Sequence, residues 1–414
     1  MKLAIDGGTP VRETMLATGF PGASLYDERE AREVFEVCMS KSPFRYYGEN
    51  VLGKADAFEE NFAKRIGVKN AVGVTSGTAA LVVALKAAGI GPGDKVIVPA
   101  CTFVATAGAV VCAGAVPVFA DVDDSLNIDP KKIGNVVDKY TKALITVPLV
   151  GNPCQMDAVM EEAKKYNLLV IEDVAQSMGS SLNGKCMGTW GDLGTFSMQL
   201  NKMITTGDGG IVVSNNDLLY ERAVRYHDQG MYRKEEGFLT DDASRVFIGQ
   251  NYRMSELTAA AALVQLTKLD GMISKMREIK KTIKDGLSGI DGITFRRIID
   301  PEGDTSSAIV MFLPDKETTQ KFNQAMLAEN IAFGTQYHGR PVYMIPQIFH
   351  KKTVDKSGFP FNQFDEEIVY TEDMCPNAIN LMPRSTMLLL EPVMTEKDID
   401  DVITAVKKVA KAIL

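Results

Sequence analysis

Lys202 stands alone among small and apolar residues in the stretch GTFSMQLNKMITTGDGG, residues 194–210. A strand-like run (194–198) precedes it and a glycine turn (207–210) follows. An ammonium on a solvated loop stays protonated. One partly desolvated beside a strand end can lose its proton and attack a carbonyl. The plainer reading, a loop lysine facing water, is weakened by Ser197, Gln199, Thr205, Thr206 and Gly207 around it. Upstream, Asp173 closes an apolar run in VIEDVAQSMG (170–179). A carboxylate there needs a partner, because an unpaired buried charge is very costly. A salt bridge or a helix cap is the simple answer; a carboxylate that keeps a ring nitrogen protonated is the sharper one.

Two more segments complete the set. Ser76-Gly77-Thr78 in VTSGTAAL (74–81) sits between a strand and a helix, so its amides and hydroxyls face outward at the positive helix end. That is a phosphate cradle, or simply an N-cap. Asn251 and Arg253 in IGQNYRMSEL (248–257) precede a helix for which Ser255 and Glu256 are candidate caps. A nucleophilic amine, an acid for a ring nitrogen and a phosphate pocket are together what pyridoxal 5′-phosphate requires.

These residues need elements that hold them at strand ends. From about residue 55 to 215, short runs apolar on both faces alternate with helical patterns: AFEENFAKRIG (57–67), NAVGVTSG (70–77), TAALVVALKAAGI (78–90), KVIVPA (95–100), VPVFADV (116–122), KALITVPLVG (142–151), MDAVMEEAKKYN (156–167), LLVIEDV (168–174), GTFSM and GGIVVSN (209–215). Such alternation predicts an α/β fold, a mostly parallel sheet covered by helices. Ligands in such sheets bind beyond the carboxyl ends of the strands. A long helix over 255–287 then leads to a region mixing strands (GITFRR, SAIVMFLP, TMLLLEP) with helices (KETTQKFNQAMLAEN and the final EKDIDDVITAVKKVAKAIL). Residues 1–30 read as an irregular arm, 31–270 as a large cofactor-binding domain and 271–414 as a smaller α+β domain.

Composition narrows the classes. The chain has 414 residues and a formal net charge of −8, with no basic stripe, which argues against nucleic acid as a partner. Six scattered cysteines without a C-x-x-C pair argue against a zinc site or a disulfide framework, so no metal is expected and a reducing, cytoplasmic setting is. The start, MKLAIDGGTPVRET, has no apolar stretch long enough for a signal peptide. The apolar run Val96–Ala120 has the length of a membrane helix, but Pro99 and Pro117 favour strand, small-residue helix and strand. No membrane association is expected. The glycine turns do not form G-x-G-x-x-G after a strand, which excludes a dinucleotide oxidoreductase of that type.

SGTAAL, EDVAQSMG, FSMQLNKMITTGDGGIVV and NYRMSELTAA occur in an order and spacing that resembles the DegT/DnrJ/StrS family of sugar aminotransferases, from LAIDGGTPVR to the last helix. The resemblance implies the type I aspartate aminotransferase fold, with a seven-stranded, mostly parallel sheet in the large domain. It implies that Lys202 forms a Schiff base with pyridoxal 5′-phosphate and shuttles the proton. Asp173 would lie at the pyridine nitrogen, Gln176 near the phenolic oxygen, and Gly77, Thr78 and Ser197, with Ser76 beside them, at the phosphate. Phe103, in PACTFVAT, would stack on the ring. Asn251 would reach the cofactor phosphate of the neighbouring subunit, which makes the expected assembly a homodimer with shared sites. Arg253, Tyr337, His338 and Arg340 are the candidates for a donor carboxylate or sugar hydroxyls, with a solvated loop as the alternative for His338 and Arg340.

The implied reaction moves an amino group from glutamate or glutamine to an oxo-sugar, for cell-surface polysaccharide, lipopolysaccharide or secondary-metabolite synthesis. Met198-Gln199 stands where many nucleotide-sugar members have Phe-His, and HDQG (227–230) replaces the usual His-Gly. These departures resemble members acting on cyclitols or unusual sugars. The candidate acceptors are an 8-oxo octulosonate sugar, a nucleotide-linked ketosugar or a scyllo-inosose-type cyclitol. A non-catalytic cofactor-binding regulator of the same fold is the alternative. A sugar dehydratase is another, disfavoured because that branch carries histidine in place of Lys202.

Overall fold

In the computed structural model, which describes residues 2–233 and 243–414, strands take up the predicted apolar runs almost one for one. They are β1 (Asn70–Val74), β2 (Lys95–Pro99), β3 (Val116–Ala120), β4 (Thr141–Thr146), β5 (Leu169–Asp173), a small hairpin β6 (Ser181–Leu182) and β7 (Lys185–Cys186), then β8 (Leu193–Ser197) and β9 (Gly210–Ser214). Seven of them form one sheet in the order β1-β9-β8-β5-β4-β2-β3. Within it β9 runs against both neighbours, while β8, β5, β4, β2 and β3 are mutually parallel. Among the described residues the α-helices are α1 (Glu28–Ser40), α2 (Lys54–Ile66), α3 (Gly77–Ala87), α4 (Val104–Cys112), the single turn α5 (Pro130–Ile133), α6 (Met156–Lys165), α7 (Asp217–His227), α8 (Glu256–Gly286), α9 (Lys316–Ala328), the short α10 (Pro346–Phe349) and α11 (Pro376–Leu381), and the last helix α12 (Glu396–Ile413).

The strands lack a polar face because helices cover both sides. Val96 and Val98 of β2 pack with α3 and α4 residues such as Leu85 and Val110. Ile97 between them packs instead with Phe58 and Phe62 of α2 and Ile279 of α8. The same alternation splits Ile171 from Val170 in β5. The run Val96–Ala120 is β2, α4 and β3, and among the described residues no helix is long and apolar enough to cross a membrane.

A second, antiparallel sheet joins β10 (Thr294–Phe295), β11 (Ala308–Phe312) and β12 (Ser385–Leu389). The arm has two 3-10 turns, Ala4–Asp6 and Ala23–Leu25. It is tied down by the Glu329 carboxylate, which accepts from the Ala4 and Val11 amides at 3.0 and 2.8 Å and pairs with Lys408 of the last helix at 2.8 Å. One expected cap differs. Ser255 Oγ does cap α8, accepting from the Thr258 amide at 3.2 Å. Glu256 instead reaches across to the start of α2, where Lys54 and Ala55 donate at 2.7 and 2.9 Å. The N-cap of α2 is Gly53, which has no side chain to offer, so a remote carboxylate takes the orphan donors.

Candidate active site

The carboxyl edge of the large sheet gathers the chemistry. Asp173 is the last residue of β5, Ser197 the last of β8, and Ser76 follows β1 as the N-cap of α3, its Oγ accepting from the Ala79 amide at 3.1 Å. Gly77 and Thr78 form the first turn of α3, where amides have no intrahelical acceptor. A Cβ on Gly77 would come within 2.6 Å of the Ser197 side chain, so only glycine lets the helix start approach β8 this closely.

Asp173 points to the α3–α4 side of the sheet. Thr106 Oγ1 donates to its Oδ2 at 2.8 Å and the Ala175 amide to Oδ1 at 3.2 Å. Burial raises its carboxyl above the ordinary aspartate range, and Thr106, the Ala175 amide and the charge of Lys202 pull the other way. Burial lowers the Lys202 amine, against the smaller opposing influence of Asp173. The two groups therefore sense each other's charge across one cavity.

The loop that carries Lys202 is fastened at several points. Its amide donates to Gln199 O at 3.0 Å, and its carbonyl accepts from the Gly22 amide of the arm at 3.2 Å. Thr205 Oγ1 donates to Met198 O at 3.1 Å and the Thr206 amide to the same carbonyl at 3.0 Å. Tyr26 of the arm donates to Thr205 O at 2.9 Å. The side-chain hydroxyls that flank the lysine thus fold the loop back on itself and leave the amine as the group presented.

A cavity of about 530 Å³ opens here, lined by Ser76, Gly77, Thr78, Phe103, Asp173, Gln176, Ser197, Lys202 and Tyr337 among others. Phe103 is 56 % exposed, an aromatic face available for a planar ring. Gln176 Nε2 donates to the Tyr337 hydroxyl at 2.8 Å. Asn251, Arg253, His338 and Arg340 do not line this cavity. Arg253 is engaged elsewhere, 2.5 Å from the buried Asp228 and over the Phe44 ring. Asn251, His338 and Arg340 are exposed. Thr106, Val150, Asp208, Ser307 and Gln336, in or beside the cavity wall, were not picked out from the sequence. A threonine in the first turn of the otherwise apolar α4 was the one visible signal among them.

Next to Asp173, Glu172 faces the opposite side of the sheet. Its carboxylate accepts from the amides of Gly188, Trp190 and Gly191 at 2.7, 2.7 and 2.8 Å. Burial pushes it up to about 6, opposed by those amides. Glu172→Gln loses the charge and one acceptor, and is expected to lower stability in urea unfolding at pH 7 by about 1–3 kcal/mol. The gap should widen near pH 5, because the raised wild-type carboxyl takes up its proton in the folded state before the unfolded chain does and gains stability that non-titrating glutamine cannot.

An amine held below its ordinary range, an acid on the same cavity, an open aromatic face and a helix start shaped for a phosphate fit pyridoxal 5′-phosphate. Residues 26–407 match the DegT/DnrJ/EryC1/StrS aminotransferase family. The spore coat polysaccharide biosynthesis protein SpsC of Bacillus subtilis is 32 % identical over 398 residues, 94 % of this chain and 96 % of that one. GDP-perosamine synthase of Escherichia coli O157:H7 is 41 % identical over 234 residues, 56 % of this chain and 63 % of that one. The solved aminotransferase from Psychrobacter cryohalolentis superposes with a TM-score of 0.80 at 27 % identity, covering 96 % of this chain and 99 % of that one. The site and the match along nearly the whole chain lead to one conclusion: this protein belongs to the DegT/DnrJ/EryC1/StrS family and is a pyridoxal phosphate-dependent sugar aminotransferase.

Proposed function

We propose that the protein moves the amino group of glutamate or glutamine to an oxo-sugar destined for a cell-surface polysaccharide. The observation that carries this reading is the single cavity holding both Lys202 and Asp173. Pyridoxal phosphate supplies, when bound, an aldehyde that accepts an amine and a ring that delocalises a carbanion. Lys202 Nζ would hold that aldehyde and is the base placed to take a proton from the substrate carbon. Asp173 would hold the ring nitrogen protonated, the α3 start and Ser197 would bind the phosphate, and Gln176 would face the phenolic oxygen. Full-length similarity to a spore coat polysaccharide protein supports the destination of the product, and 41 % identity over 234 residues to a GDP-perosamine synthase supports a sugar as the acceptor. The test is to load the enzyme with pyridoxal phosphate, add glutamate or glutamine, and follow loss of the visible band. Its return is then screened with nucleotide-linked ketosugars, octulosonate-type aldehydes and inososes. A band that no amino acid bleaches would overturn the reading.

The active unit in this proposal is a homodimer. Among the described residues, the cavity lining of one chain offers Lys202 as its sole cation, against Asp173 and Asp208. A phosphate dianion and a donor carboxylate need more positive charge than that. Asn251 and its neighbour Arg253, which lie off the cavity of their own chain, are assigned to the site of the second copy. Mixing inactive Lys202→Ala and Asn251→Ala proteins under exchange conditions should then rebuild one good site per heterodimer, recovering about a quarter of wild-type activity. No recovery above the separate variants would sink the shared site.

A further inference from the structure

Two residues on the cavity wall hold backbone conformations that are costly for anything but glycine. Val150 has φ 46° and ψ 57°, and Tyr337 has φ 48° and ψ 35°. A β-branched residue in the left-handed region is a true outlier. Such strain persists only where the surroundings over-determine it.

Around Val150 those surroundings can be named. Arg296, directly after β10, is wholly buried. Its Nη1 donates to Leu149 O at 2.8 Å and its Nη2 to Val150 O at 3.1 Å, while Nε has no partner. No carboxylate pairs with it among the described residues; Asp304, whose charge it feels, is bonded to Lys280. Burial pushes the guanidinium down to about 10. A buried arginine without an ion pair is expensive. Its compensation here is two carbonyls of the strained turn. The same turn is fixed from the other side, since the Gly151 amide donates to Gln176 O at 3.1 Å and to Ser177 Oγ at 2.9 Å. The Thr305 amide closes it by donating to Gly151 O at 3.1 Å. Gln176, in turn, holds the Tyr337 hydroxyl.

We propose that Arg296 is a positioning residue: its forked guanidinium, reaching in from the small antiparallel sheet, holds Val150 in the strained form that shapes the cavity wall for the sugar acceptor. This rests on the reading of the cavity as the site of amine transfer. Lysine cannot bridge two carbonyls with a rigid fork. Arg296→Lys should therefore keep the fold and the visible band of bound cofactor, yet lose roughly ten- to a hundredfold in kcat/KM, carried by acceptor KM with donor kinetics little changed. Val150→Gly removes both the strained side chain and the wall, so the double variant Arg296→Lys/Val150→Gly should be no worse than Val150→Gly alone. If Arg296→Lys does not fold, Gly151→Ala disturbs the same turn with the guanidinium intact. Its Cβ would sit 2.7 Å from Thr305 Oγ1, at φ 88°, and the same rise in acceptor KM is expected. Unchanged acceptor KM in the folded variants, or strictly additive losses in the double variant, would overturn the proposal. A wild-type protein that binds the cofactor but transfers no amine would instead remove the underlying reading, before any variant is compared.

Discussion

Lys202→Ala is expected to lose amine transfer by at least roughly a thousandfold, because no other amine lines the cavity among the described residues. The variant should still fold. The backbone bonds that fasten its loop, from Gln199 O to the Lys202 amide and from the Gly22 amide to the Lys202 carbonyl, do not use the side chain. It should also still bind pyridoxal phosphate through the α3 start and Asp173, but as free aldehyde, with a band distinct from that of the wild type. The buried position adds a stability signature. The folded-state amine titrates below its ordinary value, so the cofactor-free protein holds fewer protons here than the unfolded chain does. Its stability should be lowest below the folded-state value and climb as pH rises through it toward the ordinary lysine range. Lys202→Met removes that slope. Calorimetry on the two cofactor-free proteins, carried from neutral pH up to the ordinary lysine range, checks it. Turnover within tenfold of wild type in Lys202→Ala would show that the nucleophile lies elsewhere.

The strands were legible because each is apolar on both faces, a pattern that only a helix-covered parallel sheet demands. Lys202 and Asp173 were legible for a related reason: a charge at or just beyond the end of such a strand must find a partner or a use. Arg253 shows where that logic stops. Its type suits a carboxylate ligand, but the carboxylate it meets in its own chain is Asp228, at the end of α7. Glu172 and Asp173 are adjacent acids that only strand register separates, one to three loop amides and the other to Thr106 and the cavity. The Arg296 clamp was invisible for a third reason. Strain at Val150 is a property of φ and ψ, and no residue type near PLVGN announces it.

The other large effect is expected from Asp173→Asn. Asparagine keeps the shape, with its one oxygen accepting from the Ala175 amide and its NH2 donating to Thr106 Oγ1, which accepts where it had donated, so fold and cofactor binding should survive. What it cannot do is stabilise a positive charge on the ring nitrogen. Without that charge the ring is a poor sink for the electrons left when a carbon gives up its proton, and the chemical step should slow by roughly a hundred- to ten-thousandfold. The loss should fall on kcat, with donor binding little changed, because the interaction matters most when charge develops. The cofactor-free protein should respond in the opposite sense. Burial raises the Asp173 carboxyl, so its favourable contribution to stability is present at low pH and is lost as pH rises through the folded-state value. At neutral pH the neutral amide avoids that penalty, and cofactor-free Asp173→Asn should melt no lower than wild type. An enzyme that is slower by orders of magnitude yet as stable as its parent, with a visible band and intact Lys202, would separate the electron-sink role from mere support of the site. Rates within tenfold of wild type would show that the acid at this strand end does not govern the ring nitrogen.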